Sequence, residues 1–198
     1  METLLENRPI TKKRKIIPKE LIYEMVRGTP IYYHGYEEVI SGKKKIEQIM
    51  GSSGIQSYLV TMLVSFLSQK LNLKEKVILA NEFGLQFSKK TWRNIDLAIF
   101  ERKKVKDHLL QDKHIPVPPE VVIEIDTKAD LTKYGYNYIN EKTDDLLNFG
   151  VKKVIWILTK TKKVMIAESN KDWIITNWDK DINIINDINV NINSLLFE

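Results

Sequence analysis

The chain has 198 residues, 43% apolar and 29% charged, proportions of an ordinary globular domain with a sizeable core. It has no cysteine, which excludes disulfides, thiolate metal centres and a thiol nucleophile. No stretch approaches the ~20 apolar residues of a membrane span, and the segment METLLENRPITKKRK lacks the apolar run of a secretory leader. A soluble, cytoplasmic protein with no membrane partner is therefore expected. The formal charge of +5 and pI near 9.1 suit a polyanionic partner, DNA or RNA, because phosphates attract lysine and arginine at long range.

Residues 1 to 15 read as a loose basic arm, with Lys12, Lys13 and Arg14 offering non-specific phosphate contacts or a solvated tail. One domain, residues 16 to 198, follows. Pro18 suits the first turn of a short helix through Met25, with Gly28 as its stop. Residues 31 to 50 read as an extended hairpin turning at Ser41-Gly42. From Gly54 to Leu71 the stripe of Ile55, Leu59, Met62, Leu63, Phe66 and Leu67 predicts an amphipathic helix. Strand-like segments then occupy Val77 to Leu79, Gly84 to Phe87 and Ile95 to Glu101. Alternation along the third puts Ile95, Leu97 and Ile99 on one face and Asn94, Asp96 and Ala98 on the other. Residues 102 to 119 form a basic loop, including Lys103 and Lys104, closed by three prolines. Val121 to Ile125 reads as a buried central strand. A helix from Tyr134 to Phe149 ends at Gly150. Val154 to Leu158, Val164 to Glu168 and Trp173 to Asn177 make a meander, and the Ile/Asn alternation of residues 181 to 193 suits an edge strand. The order predicts an α/β (α+β) sheet flanked by helices.

Three residues violate their local pattern, and such violations point to function. Glu124 lies inside the apolar run VVIEI; a carboxylate there must be protonated, paired with a cation or bound to metal. Asp126, two residues on, projects from the same face if the strand continues. Asp96 is an acid inside NIDLAIF, either a half-exposed polar residue or a site member. Lys142 lies on the apolar face of its helix, between Ile139 and Leu146; it either snorkels from the edge or points at an acidic site on the sheet. Carboxylates on adjacent strands can hold Mg²⁺, a bound metal acidifies its water, and a lysine can orient that water or offset phosphoryl charge. The set suits phosphodiester hydrolysis. His34, His108 and His114 lack the spacing of a zinc helix, and there is no P-loop, GxGxxG or GxSxG. No nucleotide cofactor is expected.

The segments YEEVISGKKK, WRNIDLAIF, PPEVVIEIDT and KTDDLLNFGVKKVIWIL resemble the Uma-type endonuclease family of the PD-(D/E)XK, restriction-endonuclease-like superfamily, from about Ile17 onward. The resemblance implies a central mixed β-sheet between helices, a Mg²⁺- or Mn²⁺-dependent endodeoxyribonuclease (a hydrolase), DNA as partner and, often, a homodimer. Asp96 matches the family's acid and Arg93 its arginine, with Ile95 replacing the usual proline. Glu124 matches the glutamate after Pro-Pro, and Lys142 the helix lysine eight residues before Gly150. Glu38 matches the glutamate of a Tyr-Glu-Leu-Ile-x-Gly-like hairpin, and Gln56 stands where the family often has histidine. The resemblance implies Asp96, Glu124, Lys142, Glu38 and Gln56 as catalytic, Asp96 and Glu124 as metal ligands and Arg93 as a DNA contact. Asp126, from the face it shares with Glu124, is a further candidate ligand, and Lys12, Lys13, Arg14, Lys103 and Lys104, from their charge, are candidate DNA contacts. Asp126 replaces the superfamily's lysine, so it either adds a ligand or marks a changed or lost activity. In the latter case the chain is a catalytically inactive nucleic-acid-binding or assembly module on the same fold.

Overall fold

The computed structural model describes residues 17–126 and 137–197. The basic arm with Lys12, Lys13 and Arg14, and the start of the helix predicted from Tyr134, lie outside the described residues. A mixed sheet runs in the order β2-β1-β4-β5-β6-β7-β8, with β3 paired to β4.

Chain entry differs from the expected helix and hairpin. Only one 3₁₀ turn forms, Lys19–Leu21, before strands β1 (Ile22–Val26) and β2 (Thr29–Tyr32) pair antiparallel. Arg27 and Gly28 join them with φ of 50° and 80°, the left-handed pair that lets a two-residue turn follow the strand twist. Two short helices follow, α1 (Tyr36–Ile40) and α2 (Glu47–Met50). Gly42, with φ 74°, donates its N–H to Val39 O just beyond α1. The two glycines have thus exchanged their predicted roles: Gly28 makes the hairpin and Gly42 stops a helix.

Helix α3 (Gly54–Lys70) forms as predicted, with Ser53 capping the Gln56 amide at 3.3 Å. Leu59, Leu63 and Leu67 are fully buried on its inner face, while Ile55 is exposed. The two strand segments predicted next are one strand, β3 (Lys76–Ser88), antiparallel to β4 (Thr91–Glu101). A bulge at Asn81 (φ 79°) and Glu82 (φ 53°) separates Ala80↔Leu97 from Phe83↔Ile95, so two residues oppose Asp96. The bulge twists the pair, and Ile95 packs with the second core cluster while Leu97 and Ile99 join the first. Within residues 102–119, a helical turn α4 (Arg102–Val105) precedes a strap that bonds Ile115 to Gly84 and Gln86 on β3.

Strand β5 (Val121–Ile125) is buried throughout, antiparallel to β4 and parallel to β6 (Lys153–Leu158). The chain crosses from β5 to β6 through helix α5 (Asn137–Phe149). Strands β7 (Lys163–Glu168) and β8 (Ile174–Asn177) complete the predicted meander. The tail is not an edge strand of this sheet. Asn186, with φ 52°, folds it into a separate ribbon, β9 (Ile182–Ile185) with β10 (Ile188–Val190), then helix α6 (Ile192–Phe197). Its Ile182, Ile184, Val190 and Ile192 enter the core with α3. The other face packs Val122, Val154 and Trp156 against Tyr138 and Leu146 of α5. Among the described residues no helix is long and apolar enough to cross a membrane.

Candidate metal centre and its buried ion network

Strands β4 and β5 are adjacent; Ala98, Phe100 and Val122 share the α5 face, which Arg93 and Ile95 join on the other side of the bulge. Alternation therefore directs Glu124 toward that helix, where Lys142 occupies the one position on its buried stripe that is charged. Glu124 is 1% exposed, Asp96 6% and Lys142 0%. The Lys142 ammonium donates to Glu124 Oε2 at 2.9 Å and to Asn94 O at 2.6 Å, and lies 3.0 Å from Glu24 Oε1. Three acceptors for three ammonium hydrogens leave it saturated. Of the two sequence alternatives for Lys142, it does not snorkel. Nor does it offer a spare proton to a water.

Asp96 Oδ2 accepts the N–H of Ile125 at 2.7 Å, which ties β4 to the end of β5 beside Glu124. Gln56, buried at the start of α3, donates its amide to Ile125 O at 2.7 Å. A cleft of about 220 Å³ between the start of α3 and the β3 bulge reaches Asp96, lined also by Ser52, Gln56, Ser57 and Glu82. The structure thus brings Asp96, Glu124, Lys142 and Gln56 to one place.

Glu24 was missed from the sequence. It is fully buried and holds Arg93 Nη1 at 2.9 Å, the Asn94 N–H at 3.2 Å and Lys142. The signal is present: Tyr23-Glu24-Met25-Val26-Arg27-Gly28 has the Tyr-Glu-x-aliphatic-x-Gly spacing, six residues from tyrosine to glycine, whereas Tyr36 to Gly42 spans seven, and the first copy makes the hairpin. Glu38, expected in the site, instead lies on α1 and pairs with Lys44. That hydrogen bond holds its carboxyl below the ordinary range. No contact joins it to Asp96, Glu124 or Lys142 among the described residues.

Arg93, expected on DNA, is 1% exposed. Its guanidinium bridges Glu24 and Asp145, which outweigh its burial and keep it more basic than usual. Asp126 is not brought to the site either. The strand ends at Ile125, Asp126 turns with φ 55°, and both its oxygens accept from Thr159, the amide at 2.9 Å. Lys103 and Lys104 are solvent-facing and lie within 3.5 Å of Glu101 oxygens.

Burial pushes the Glu124 carboxyl well up; Lys142 opposes this and more than offsets Asp96 and Glu24, but burial prevails. Burial alone would lower Lys142, but Glu124 and Glu24 hold it up and charged. At the centre, three carboxylates (Glu24, Asp96, Glu124) face two cations (Arg93, Lys142). With Asp145, which also pairs with Arg93, balanced by Arg27, one negative charge is in surplus among the described residues. Glu124 Oε1, Tyr138 OH and Arg93 Nε are buried without hydrogen-bond partners among the described residues, and all three belong to this cluster. An orphaned carboxylate oxygen in a cluster one charge too negative is where a proton or a cation belongs. No group of three or more His, Asp or Glu among the described residues is arranged to cage a metal. Two carboxylates nonetheless fit Mg²⁺, which keeps several waters and takes the rest of its shell from substrate oxygens.

A second acid anchors the strand from its other end. Glu120, just before β5, is bound by Lys76 and by Lys152 at 2.8 Å. Burial raises its carboxyl, but the two ammonium groups outweigh this and hold it below the ordinary range. A carboxylate held low contributes stability above its unfolded value of about 4.3 and loses it as pH falls through the lower folded value. Glu120→Gln should therefore be less stable than the native chain at about pH 7, with the difference closing by about pH 3. Urea midpoints at both values test this.

No protein-family profile and no curated protein matches the chain. Among solved structures it is similar to a protein from Anabaena variabilis described as "a putative nuclease belonging to DUF820", at 13% identity and a TM-score of 0.65, over 92% of this chain and 93% of that one. At that identity the likeness speaks for the fold alone. This chain has a nuclease-like fold: a large central mixed sheet flanked by helices.

Proposed function

We propose that this chain is a Mg²⁺- or Mn²⁺-dependent endonuclease that hydrolyses DNA phosphodiester bonds, belonging with the Uma-type family of the PD-(D/E)XK superfamily. The observation that supports this most is Glu124: buried beside Asp96, with one oxygen on Lys142 and the other unpartnered. Asp96 and Glu124 would hold the ion. When bound, it supplies a more acidic water and charge stabilisation on a phosphoryl oxygen. Lys142 fixes the rotamer of Glu124 through Oε2 and leaves Oε1 for the ion. Gln56 holds the Ile125 carbonyl in place, and the cleft beside it would be the approach of water and a phosphate to Asp96. The basic arm with Lys12, Lys13 and Arg14, together with Lys103 and Lys104, would track the DNA backbone. A homodimer and a cytoplasmic setting belong to the same reading, on the family resemblance alone.

The test pairs plasmid nicking with calorimetry. The purified chain should nick supercoiled plasmid with Mn²⁺, stop on adding a chelator, and bind Mn²⁺ in the absence of DNA. Salt-dependent DNA binding without Mn²⁺ uptake or nicking would instead identify the inactive binding module.

A further inference from the structure

The charged side chains on the α5 face continue beyond the site just described. Arg27 Nη2 lies 3.2 Å from Asp145 Oδ1, Asp145 Oδ2 pairs with Arg93 Nη2, Arg93 Nη1 holds Glu24 Oε2, and Glu24 Oε1 holds Lys142, which holds Glu124. Charges alternate at every link, from a side chain 74% exposed at the β1–β2 turn to the buried carboxylate. Asp145 follows Lys142 by three residues on α5, so the two side chains are neighbours on one helix face.

We infer that Asp145 is a positioning residue for the Glu124 centre: its clasp on Arg93 sets the placement of α5 and thereby of the Lys142 ammonium. The inference rests on the reading of Asp96 and Glu124 as the metal centre, but its test does not depend on cleavage.

Three observations support the assignment. First, polar anchors add to the apolar packing that attaches α5 to the sheet. Lys142 reaches β1, β4 and β5, Asp145 reaches Arg93 on β4, and Thr143 accepts from the Trp156 indole on β6 at 2.9 Å. Apolar packing tolerates sliding; a planar guanidinium bridging two carboxylates constrains distance and angle. Second, Arg93 has a single way to be satisfied. It is buried, its Nε has no partner, and Glu24 and Asp145 take its two terminal nitrogens. Without Asp145 the guanidinium can recover its bonds only by turning toward Glu24, in competition with Lys142. Third, the outer pair with Arg27 is exposed and contributes little by itself, so Asp145 acts inward.

The experiment compares Asp145→Asn, Asp145→Glu and, as a surface control, Arg27→Ala with the native chain. The Lys142 ammonium, protected by three acceptors, should give a slowly exchanging ¹⁵Nζ resonance in lysine-labelled protein. Asp145→Asn should broaden or shift that resonance and weaken Mn²⁺ binding about tenfold, the scale expected for a residue supporting a metal ligand. In a nicking assay it should lower kcat with KM little changed. Asp145→Glu should restore the resonance and most of the affinity, and Arg27→Ala should leave both as in the native chain. A loss of folding stability alone would also lower apparent kcat at unchanged KM, so the Lys142 resonance and the Mn²⁺ affinity of the folded variant, with their recovery in Asp145→Glu, are the readouts that discriminate. An unaltered Lys142 resonance in folded Asp145→Asn overturns the inference. Should the native chain neither bind Mn²⁺ nor cleave DNA, the nuclease reading fails, and the resonance still decides whether Asp145 places Lys142.

Discussion

Exchanging Glu124 for glutamine should abolish Mn²⁺-dependent nicking while leaving the fold as stable as before at neutral pH, or slightly more so. The two halves of that outcome have different causes. Glutamine has nearly the same shape and keeps an oxygen to accept from Lys142, so no cavity and no unpaired ammonium results. It also removes one charge from a cluster in which three carboxylates face two cations and in which the Glu124 carboxyl is already pushed well up. Urea midpoints should therefore agree with the native chain to within about 1 kcal/mol. For catalysis the same exchange removes the anionic oxygen left open beside Asp96. A metal site contributes several kcal/mol of transition-state charge stabilisation, which converts to a rate loss of about three orders of magnitude. Retention of more than about a tenth of the native rate would show that the cleavage has another centre or another protein as its source. Most mutations that destroy a buried ion pair also destabilise; a stable, inactive variant here would separate the chemistry from the packing.

The sequence was most legible where a charge broke an apolar pattern. VVIEI and the gap on α5 named Glu124 and Lys142 because burial of a charge must be repaid by a partner, and that demand is visible without coordinates. Asp96 needed the resemblance, since an acid in a half-exposed strand has a common bland explanation. What the sequence concealed was pairing across long separations. Arg93 was read as a phosphate contact because arginine on a strand has no local signature of burial; its partners Glu24 and Asp145 lie 69 and 52 positions away. Glu24 was lost to an error of element type. Residues 19 to 26 admit both a helical and an extended reading, and only the left-handed turn at Arg27-Gly28 decides between them. Asp126 shows the reverse case: period-two alternation holds only while the strand lasts, and this strand stops one residue too early. The bulge at Asn81-Glu82, which faces Asp96, has only a slight composition signal: Asn81 tolerates a positive φ, but neither residue is a glycine.

Lys142→Met should be the most destabilising single exchange in the cluster, with a loss of about 3–5 kcal/mol, the range for removing one partner of a buried ion pair. Methionine fills the volume, so the cost is electrostatic. Glu24 and Glu124 lose their shared counter-ion, Asn94 O loses its donor, and three carboxylates are left facing Arg93 alone. The surplus of negative charge rises from one to two. Adding Glu124→Gln to Lys142→Met should bring the surplus back to one, and so recover stability. The single exchange at Glu124 has almost no cost, so any recovery in the double variant is coupling energy, expected at about 1–3 kcal/mol for side chains in direct contact. Urea denaturation of the four proteins closes the cycle. A coupling near zero would mean that Glu124 is protonated in the native protein and that Lys142 serves Glu24 alone. In that event a metal would have to displace the Glu124 proton, and Mn²⁺ affinity should rise with pH. The measured coupling thus reports on the charge state of Glu124 without metal, DNA or turnover, and so bears on the metal-centre reading independently of any nicking assay.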